Sequence, residues 1–238
     1  ENCVLGVSRN LEYETLAASS AEAQSLQIFK GFKKSDEPLS RYQKHLEAIG
    51  FYEASKKFFD PQDAGVSAAR ADSDRIAIGV LDTGLDDLHP ELEPALWSIQ
   101  VCGGQRFGID AFLPAFVNSS PNCKRYSISD LSPTGHGTHV SGLIAASPNG
   151  EGTLGVAAHV AQIMTVRVFK DVATDPGVVN LKSNTATVVT GLQWAVENGA
   201  KVLNMSLGSP RSALNDQSLD DPLYYQALLD ATSKGVFI

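Results

Sequence analysis

Apolar runs of strand length alternate with helix-like stretches from residue 75 to the end of the chain. Residues 187–198 and 222–234 place apolar side chains on one helical face, and a glycine follows each stretch. The strand-like runs comprise residues 76–82, 163–169, 201–207 and 235–238. This order is typical of a parallel sheet with crossover helices, so the pattern predicts an α/β fold.

The first 71 residues show a different pattern. Residues 11–29 and 38–59 are predicted to form two amphipathic helices. The second helix places four apolar side chains on one stripe: Leu39, Tyr42, Leu46 and Ile49. Residues 64–74 are small and polar and are predicted to be a linker. We therefore divide the chain into a helical N-terminal extension, residues 1–71, which docks on another surface or covers part of the core, and an α/β domain, residues 72–238.

Composition and charge limit the classes of molecule that the protein is expected to bind. The chain has 238 residues, with 19 Lys and Arg against 27 Asp and Glu and a formal net charge of −8. Because the neutralisation of nucleic-acid phosphates requires clustered basic side chains, we expect no nucleic-acid partner. No apolar run approaches the ~20 residues that would cross a membrane, so no membrane span is expected.

Two turns bounded by glycine carry the side chains of greatest chemical interest. The first strand-like run ends at Asp82 and Gly84 allows a sharp turn, so the carboxylate is expected at the carboxyl end of a strand. His136 stands between two glycines at the predicted start of a helix. An Asp and a His in this order indicate two thirds of a hydrolytic triad. A metal site at His136 and His139 is a weaker interpretation, because no third ligand has a suitable spacing.

Four segments in a fixed order resemble those of the subtilisin-like serine proteases. They are Asp82-Thr83-Gly84 with His89-Pro90, His136-Gly137-Thr138-His139-Val140, Leu154-Gly155-Val156-Ala157 and Asn204-Met205-Ser206-Leu207-Gly208. The resemblance covers about residues 75–238 and implies the family's three-layer fold, with a mostly parallel sheet flanked by helices. It also implies that Asp82 orients His136 and stabilises its imidazolium, while His136 acts as the general base.

The resemblance also assigns a substrate-binding edge. Ser206, Leu207 and Gly208 match the segment with which the family binds an extended peptide through backbone hydrogen bonds. Protein or peptide substrates are therefore the expected partners. In this binding mode the main chain supplies affinity, and pockets for the side chains supply selectivity.

One part of the family's site is missing from the sequence. Neither Gly-Thr-Ser nor Gly-x-Ser-x-Gly occurs in the chain, and no Asn turn for an oxyanion hole follows the last apolar run. We expect the nucleophilic serine in a missing segment or a second chain, so that the complete protein is a serine endopeptidase and this chain alone is inactive. The alternative is a catalytically inactive relative that binds peptides or a partner protein.

The expected mechanism requires no cofactor, but the resemblance raises the question of a structural calcium ion. Asn149 and Glu91 match positions that hold calcium in many members of the family. Asp is usual at the second position, and the longer Glu changes the reach of the carboxylate. A turn rich in glycine is the alternative interpretation of residues 148–152.

Two of the three cysteines are relevant to the cellular compartment in which the protein is found. Cys102 and Cys123 bracket residues 103–122, which are rich in turn-forming residues and are predicted to be a long surface insertion. A disulfide there would stabilise the fold by roughly 3 kcal/mol and would indicate a secreted or extracytoplasmic protein. The glycosylation acceptor at Asn118 has the same implication. Free thiols and a chance acceptor sequence are the alternative, which fits a cytoplasmic protein.

Overall fold

The computed structural model describes residues 12–15, 37–58, 75–101, 104–112, 128–130, 132–158, 160–171, 181–208 and 221–238. Cys102, Cys123 and Asn118 lie outside these ranges, so the disulfide and the glycosylation acceptor stay predictions. The predicted linker at residues 64–74 also lies outside the described residues.

The strands and helices are numbered in chain order. The strands are β1 (Glu12–Thr15), β2 (Ile76–Asp82), β3 (Ile99–Val101), β4 (Gly104–Arg106), β5 (Gly108–Asp110), β6 (Ala161–Arg167), β7 (Lys170–Asp171), β8 (Leu181–Asn184), β9 (Val202–Asn204) and β10 (Leu207–Gly208). The α-helices are α1 (Lys44–Ala48), α2 (Phe51–Phe58), α3 (His136–Ala145), α4 (Thr185–Glu197) and α5 (Pro222–Ser233). Short 3₁₀ turns lie at Ser40–Tyr42 and Glu93–Ala95.

A parallel sheet forms the centre of the fold, with its strands in the spatial order β5, β6, β2, β9. The strand β2 lies between two neighbours and is buried at every position after the first. This burial explains why its sequence is a continuous apolar run rather than an alternation. Phe237 extends the sheet beyond β9 through a parallel bridge to Val202.

Helices cover both faces of the central sheet, so the fold has three layers and two hydrophobic cores. The helices α4 and α5 pack on one face, and α3 packs on the other. Side chains of β2 alternate between the cores: Ala77 and Leu81 face α4 and α5, whereas Ile78 and Val80 face α3. The prediction of an α/β fold with a parallel sheet flanked by helices is confirmed.

The helices α4 and α5 lie where the sequence predicts them. Asn184 and Asp221 accept hydrogen bonds from amides in the first turns of α4 and α5. Gly199 and Gly235 follow the helix ends with φ values of 93° and 79°, which glycine adopts without strain. Within the ranges described above, no helix is both long and apolar enough to cross a membrane.

The predicted surface insertion at residues 103–122 is wrong in its first part. The strand β4 forms an antiparallel hairpin with β3, and β5 is a buried edge strand of the central sheet. Gly108 permits this position, because a Cβ there would overlap the backbone of Thr165. A strand of three residues leaves no periodicity in the sequence, which is why the pattern does not reveal it.

The predicted helix at residues 11–29 is wrong where the structure describes it. Glu12–Thr15 form β1, which lies antiparallel to β8 on one side and to β10 on the other. The pairing partners are more than 160 residues away in the sequence. Because such contacts are not local, the helical spacing of apolar residues did not reveal them.

The predicted helix at residues 38–59 is interrupted. It consists of a 3₁₀ turn, α1 and α2, and Gly50 separates the two helices with φ of 70°. Only Leu46 of the predicted apolar stripe is buried. The other three members of the stripe are exposed: Leu39, Tyr42 and Ile49.

Residues 37–48 dock on the loop that follows α3. The side-chain amide of Gln43 donates to the carbonyl oxygen of Leu154 at 2.9 Å and accepts from its N–H at 2.8 Å. A carboxylate oxygen of Glu37 accepts from the amide of Gly150 at 3.0 Å. These hydrogen bonds attach residues 37–48 to the α/β domain, and Leu46 of the same segment is buried.

The first prediction concerns Asp221, which is 6% exposed. Its Oδ1 accepts from the amides of Leu223 and Tyr224, and its Oδ2 accepts from the hydroxyl of Thr185 at 2.6 Å. We expect Asp221→Ala to lower the free energy of unfolding by about 1–2 kcal/mol through loss of the helix cap. Urea denaturation measures the change.

The matched control is Asp230→Ala, which removes an exposed carboxylate from the same helix. Substitutions at exposed sites of this kind change stability by less than about 0.5 kcal/mol. Equal effects of the two substitutions would show that the cap and the hydrogen bond to Thr185 contribute nothing.

Candidate active site

Asp82 and His136 lie together at the carboxyl end of β2. Nδ1 of His136 is 2.8 Å from Oδ1 of Asp82, although the two residues are 54 positions apart in the sequence. The side chain of Asp82 is 1% exposed and that of His136 is 11% exposed. The amide of Thr83 donates a second hydrogen bond to Oδ1 of Asp82 at 2.7 Å. The structure therefore brings these two candidate side chains into one buried pair.

This contact fixes the tautomer and the orientation of the imidazole. An ionised carboxylate only accepts hydrogen bonds, so the proton shared with Asp82 is carried by Nδ1 of His136. Nε2 is then the ring nitrogen with the lone pair, and it can accept a proton from another group. The carboxylate also stabilises the imidazolium that results. The pair can therefore act as a general base.

The first turn of α3 lies against the turn that follows β2. Gly135 precedes the helix with φ of 58°, so the chain enters α3 through the left-handed region. The amide of Gly137 donates to Oγ1 of Thr83 at 2.9 Å. A Cβ at position 137 would overlap the carbonyl oxygen of Gly84. Only glycine allows this approach, which holds His136 close to Asp82.

Asp130 lies beside this turn and is not among the residues predicted from the sequence to belong to the site. Its Oδ2 accepts from the amide of Thr138 at 3.0 Å and from the hydroxyl of Thr138 at 2.9 Å. Burial raises the pKa of the Asp130 carboxyl, but hydrogen bonds from Thr138, Ser132 and Thr83 outweigh burial and hold the pKa below its ordinary value. The sequence indicates this residue only as an Asp six positions before His136, and Asp is common in turns for other reasons.

Ser206, Leu207 and Gly208 lie beyond the end of β9. Leu207 is buried, and Leu207 and Gly208 form β10. Oγ of Ser206 donates to Oδ1 of Asn204 at 2.9 Å, which links the segment to the last residue of β9. The strand β10 does not pair within the central sheet and instead pairs with β1.

The strand β1 lies between β10 and β8 and is antiparallel to both. The paired positions are Glu14 with Gly208, Thr15 with Leu207, Glu12 with Asn184 and Tyr13 with Ser183. Each edge of β1 therefore meets the backbone of another strand. The strands β8 and β10 thus border a groove that accepts one extended segment.

Glu91 and Asn149, the candidate calcium ligands, accept hydrogen bonds from nearby protein groups. Oε2 of Glu91 accepts from the amide and the hydroxyl of Thr153 at 3.1 and 2.9 Å. Oδ1 of Asn149 accepts from the amide of Glu151 at 2.9 Å. Among the described residues, no group of three or more His, Cys, Asp or Glu side chains could hold a metal ion. The described oxygen of each side chain thus accepts from protein groups, and calcium binding stays a prediction.

Residues 73–238 match the family model described as the subtilase family. The chain belongs to the subtilase family. The matched residues contain β2 with Asp82, α3 with His136 and the edge at residues 206–208. The resemblance found in the sequence is therefore confirmed, and this subtilase has the α/β fold that the resemblance implies.

Two curated proteases illustrate how much of a subtilase the chain covers. Fervidolysin of Fervidobacterium pennivorans is 41% identical over 138 residues, which are 58% of this chain and 17% of fervidolysin. The major intracellular serine protease of Bacillus subtilis (strain 168) is 32% identical over 163 residues, which are 68% of this chain and 41% of that protease. The chain thus spans less than half the length of either relative.

A solved structure shows the same fold. The crystal structure of fervidolysin, a keratinolytic enzyme related to subtilisin, covers 88% of this chain with a TM-score of 0.53. The sequence identity is 28%, and the alignment covers 26% of the fervidolysin chain. This likeness agrees with the α/β fold described above.

The second prediction tests the close approach of α3 to the turn after β2. We expect Gly137→Ala to lower the free energy of unfolding by about 1–3 kcal/mol, because the new Cβ overlaps backbone atoms that cannot rotate away. Gly142→Ala is the matched control in the same helix, since a Cβ there meets no atom within 4 Å. Thermal and urea denaturation compare the two variants. A control as unstable as Gly137→Ala would contradict the steric explanation.

Proposed function

We propose that this subtilase is a serine endopeptidase when complete and that the chain supplies its Asp and His. The observation that carries the proposal is the buried contact of 2.8 Å between Asp82 and His136. The sequence contains no Gly-Thr-Ser, so we place the nucleophilic serine in a further segment or in a second chain. The chain alone is then inactive.

In the proposed mechanism, Nε2 of His136 takes the proton of the serine hydroxyl while the serine oxygen attacks the carbonyl carbon of the peptide. Asp82 stabilises the imidazolium and keeps its orientation. His136 then gives the proton to the leaving amine, and an acyl-enzyme remains. In the second half, His136 takes a proton from water, and the resulting attack releases the carboxylic acid and restores the serine.

We further propose that Ser206, Leu207 and Gly208 bind the backbone of the substrate. The pairing of β1 with β10 and β8 supports this role, because an extended segment of the chain itself lies in the groove. A peptide substrate in the same groove would gain its affinity from backbone hydrogen bonds. The expected partners are therefore extended or locally unfolded protein segments.

Two further properties remain proposals. Calcium is not needed for any step of the mechanism, and a site at Glu91 and Asn149 would have to displace the hydrogen bonds that these side chains now accept. A location outside the cytoplasm rests on Cys102, Cys123 and Asn118, which lie outside the described residues. One similar protein is named an intracellular protease, and this name fits the cytoplasmic alternative.

The third prediction tests the chemistry on the full-length protein that contains this chain. A fluorophosphonate probe reacts with a serine that a neighbouring base activates. We expect labelling of the wild-type protein, and we expect His136→Ala to lower the labelling rate by about 10⁴-fold or more. Mass spectrometry of the labelled peptide identifies the serine and the chain that carries it.

His139→Ala is the matched control, because it removes an exposed imidazole one helical turn away. Labelling of this variant should stay close to that of the wild-type protein. A wild-type protein that binds extended peptides but is never labelled would contradict the proposed activity and favour the inactive peptide-binding alternative.

The fourth prediction concerns competition between β1 and peptides. Removal of residues 1–15 deletes β1, whereas removal of residues 1–11 retains it. If β1 covers the edge about nine-tenths of the time, its deletion tightens the apparent Kd for an extended peptide about tenfold. Fluorescence anisotropy of a labelled peptide measures both truncations. Equal affinities would show that β1 does not compete for the edge.

A further inference from the structure

Asp130 joins the two elements that carry the catalytic pair. On one side its Oδ2 accepts both hydrogen bonds of Thr138, two residues after His136. On the other side, an interaction with the hydroxyl of Thr83, the residue after Asp82, helps to hold the pKa of Asp130 below its ordinary value. The same Thr83 oxygen accepts from the amide of Gly137 at 2.9 Å. One carboxylate therefore contacts groups that flank both members of the pair.

The start of α3 depends on this carboxylate. The capping position is Gly135, which has no side chain, and no side chain there satisfies the first amides of the helix. Asp130 accepts from the amide of Thr138, the third residue of the helix, which is the bond that a capping Asp would form. Its negative charge is also favourable beside a helix N-terminus.

The loop that carries Asp130 is itself held to the turn after β2. The amide of Leu85 donates to the carbonyl oxygen of Ile128 at 2.9 Å, and the amide of Asp130 donates to the carbonyl oxygen of Leu85 at 3.2 Å. The second carboxylate oxygen, Oδ1, accepts from the amide and hydroxyl of Ser132 at 3.2 and 2.8 Å. The position of the carboxylate is thus fixed from both ends.

From this geometry we infer that Asp130 is a positioning residue for the proposed reaction, holding the first turn of α3 so that His136 meets Asp82. In this role Asp130 acts through its bonds to Thr138 and through the bonds of its loop to the turn after β2. A general base must stay within about 0.5 Å of its productive geometry, so the loss of such a support reduces catalysis. The inference rests on the proposed activity for its kinetic effect.

Asp130→Asn is the informative substitution in the full-length protein. The Asn carbonyl can accept hydrogen bonds on one side only, and its NH₂ group would face donors on the other. We expect kcat to fall about 10- to 100-fold with KM changed less than twofold, because a misplaced base affects the chemical step. Asp86→Asn is the control, since it removes an exposed charge from the neighbouring turn and keeps the Thr138 bonds.

Thr138 supplies a second test that leaves the charge of Asp130 in place. Thr138→Ser retains a hydroxyl that can donate to Asp130 and accept from the amide of Asp86, whereas Thr138→Val removes both hydrogen bonds. We expect the Val variant to lose kcat and the Ser variant to retain most of it. Equal losses in Ser and Val, or equal kcat in Asp130→Asn and Asp86→Asn, would overturn the inference.

Hydrogen exchange gives a readout that needs no catalysis. The lowered pKa of Asp130 means that its stabilising bonds are fully present above the ordinary carboxyl pKa of about 3.9 and are lost as the pH falls through the lowered value. In the wild-type protein, protection of the Thr138 amide from exchange should decrease as the pH falls through this range. In Asp130→Asn the protection should be weak at every pH. The other titratable groups on the joined elements, Asp82, Asp86, His136 and His139, are the same in both proteins.

The two readouts separate the possible failures. The wild-type protein could show no probe labelling while its Thr138 amide is protected and loses that protection at acid pH. This result would contradict the proposed activity and not the contacts of Asp130. An active wild-type protein with unchanged kcat and unchanged protection in Asp130→Asn would contradict the positioning role alone.

Discussion

The buried hydrogen bond between Asp82 and His136 is the constraint on which the rest of the structure depends. A carboxylate that is 1% exposed loses most of its hydration, and the cost is several kcal/mol unless hydrogen bonds and an opposite charge compensate it. Oδ1 receives two donors, one from the imidazole and one from the Thr83 amide. The chain segments on both sides must therefore converge within hydrogen-bond distance. The packing of α3 against the turn after β2 meets this requirement.

Local signals made part of this arrangement predictable. The apolar run before Asp82 identifies a buried strand because β2 has neighbours on both sides and helices on both faces. Asp221 and Gly235 bracket α5 so closely that the observed helix ends one residue before the predicted end. His136 was identifiable from its motif, although Thr138, in the same motif, received no role. A motif names the residue types of a site, whereas the hydrogen bonds that support them depend on a separate loop.

Two of the errors, at residues 12–15 and in the stripe of residues 38–59, involve contacts that are distant in sequence. The segment at residues 12–15 is a strand because β8 and β10 offer it backbone partners. The side chain of Gln43 forms two hydrogen bonds with Leu154, which is 111 positions away. The stripe predicted for residues 38–59 fails for the same reason, since polar contacts hold this part of the extension. Helical spacing reports only on neighbours along the chain, so it predicted a helix at residues 12–15 and an apolar stripe whose members Leu39, Tyr42 and Ile49 are exposed.

The proposed substrate edge and the proposed catalytic pair are both connected to β2. The parallel register pairs Val80 with Asn204, and Asp82 follows two residues after Val80 on the same strand. From Asn204 the chain reaches Leu207 in three residues, with Ser206 hydrogen-bonded back to Asn204. The backbone of β2 and β9 therefore limits how far the edge can move relative to Asp82. A peptide that binds at β10 would therefore have a restricted range of positions relative to Asp82 and its partner His136.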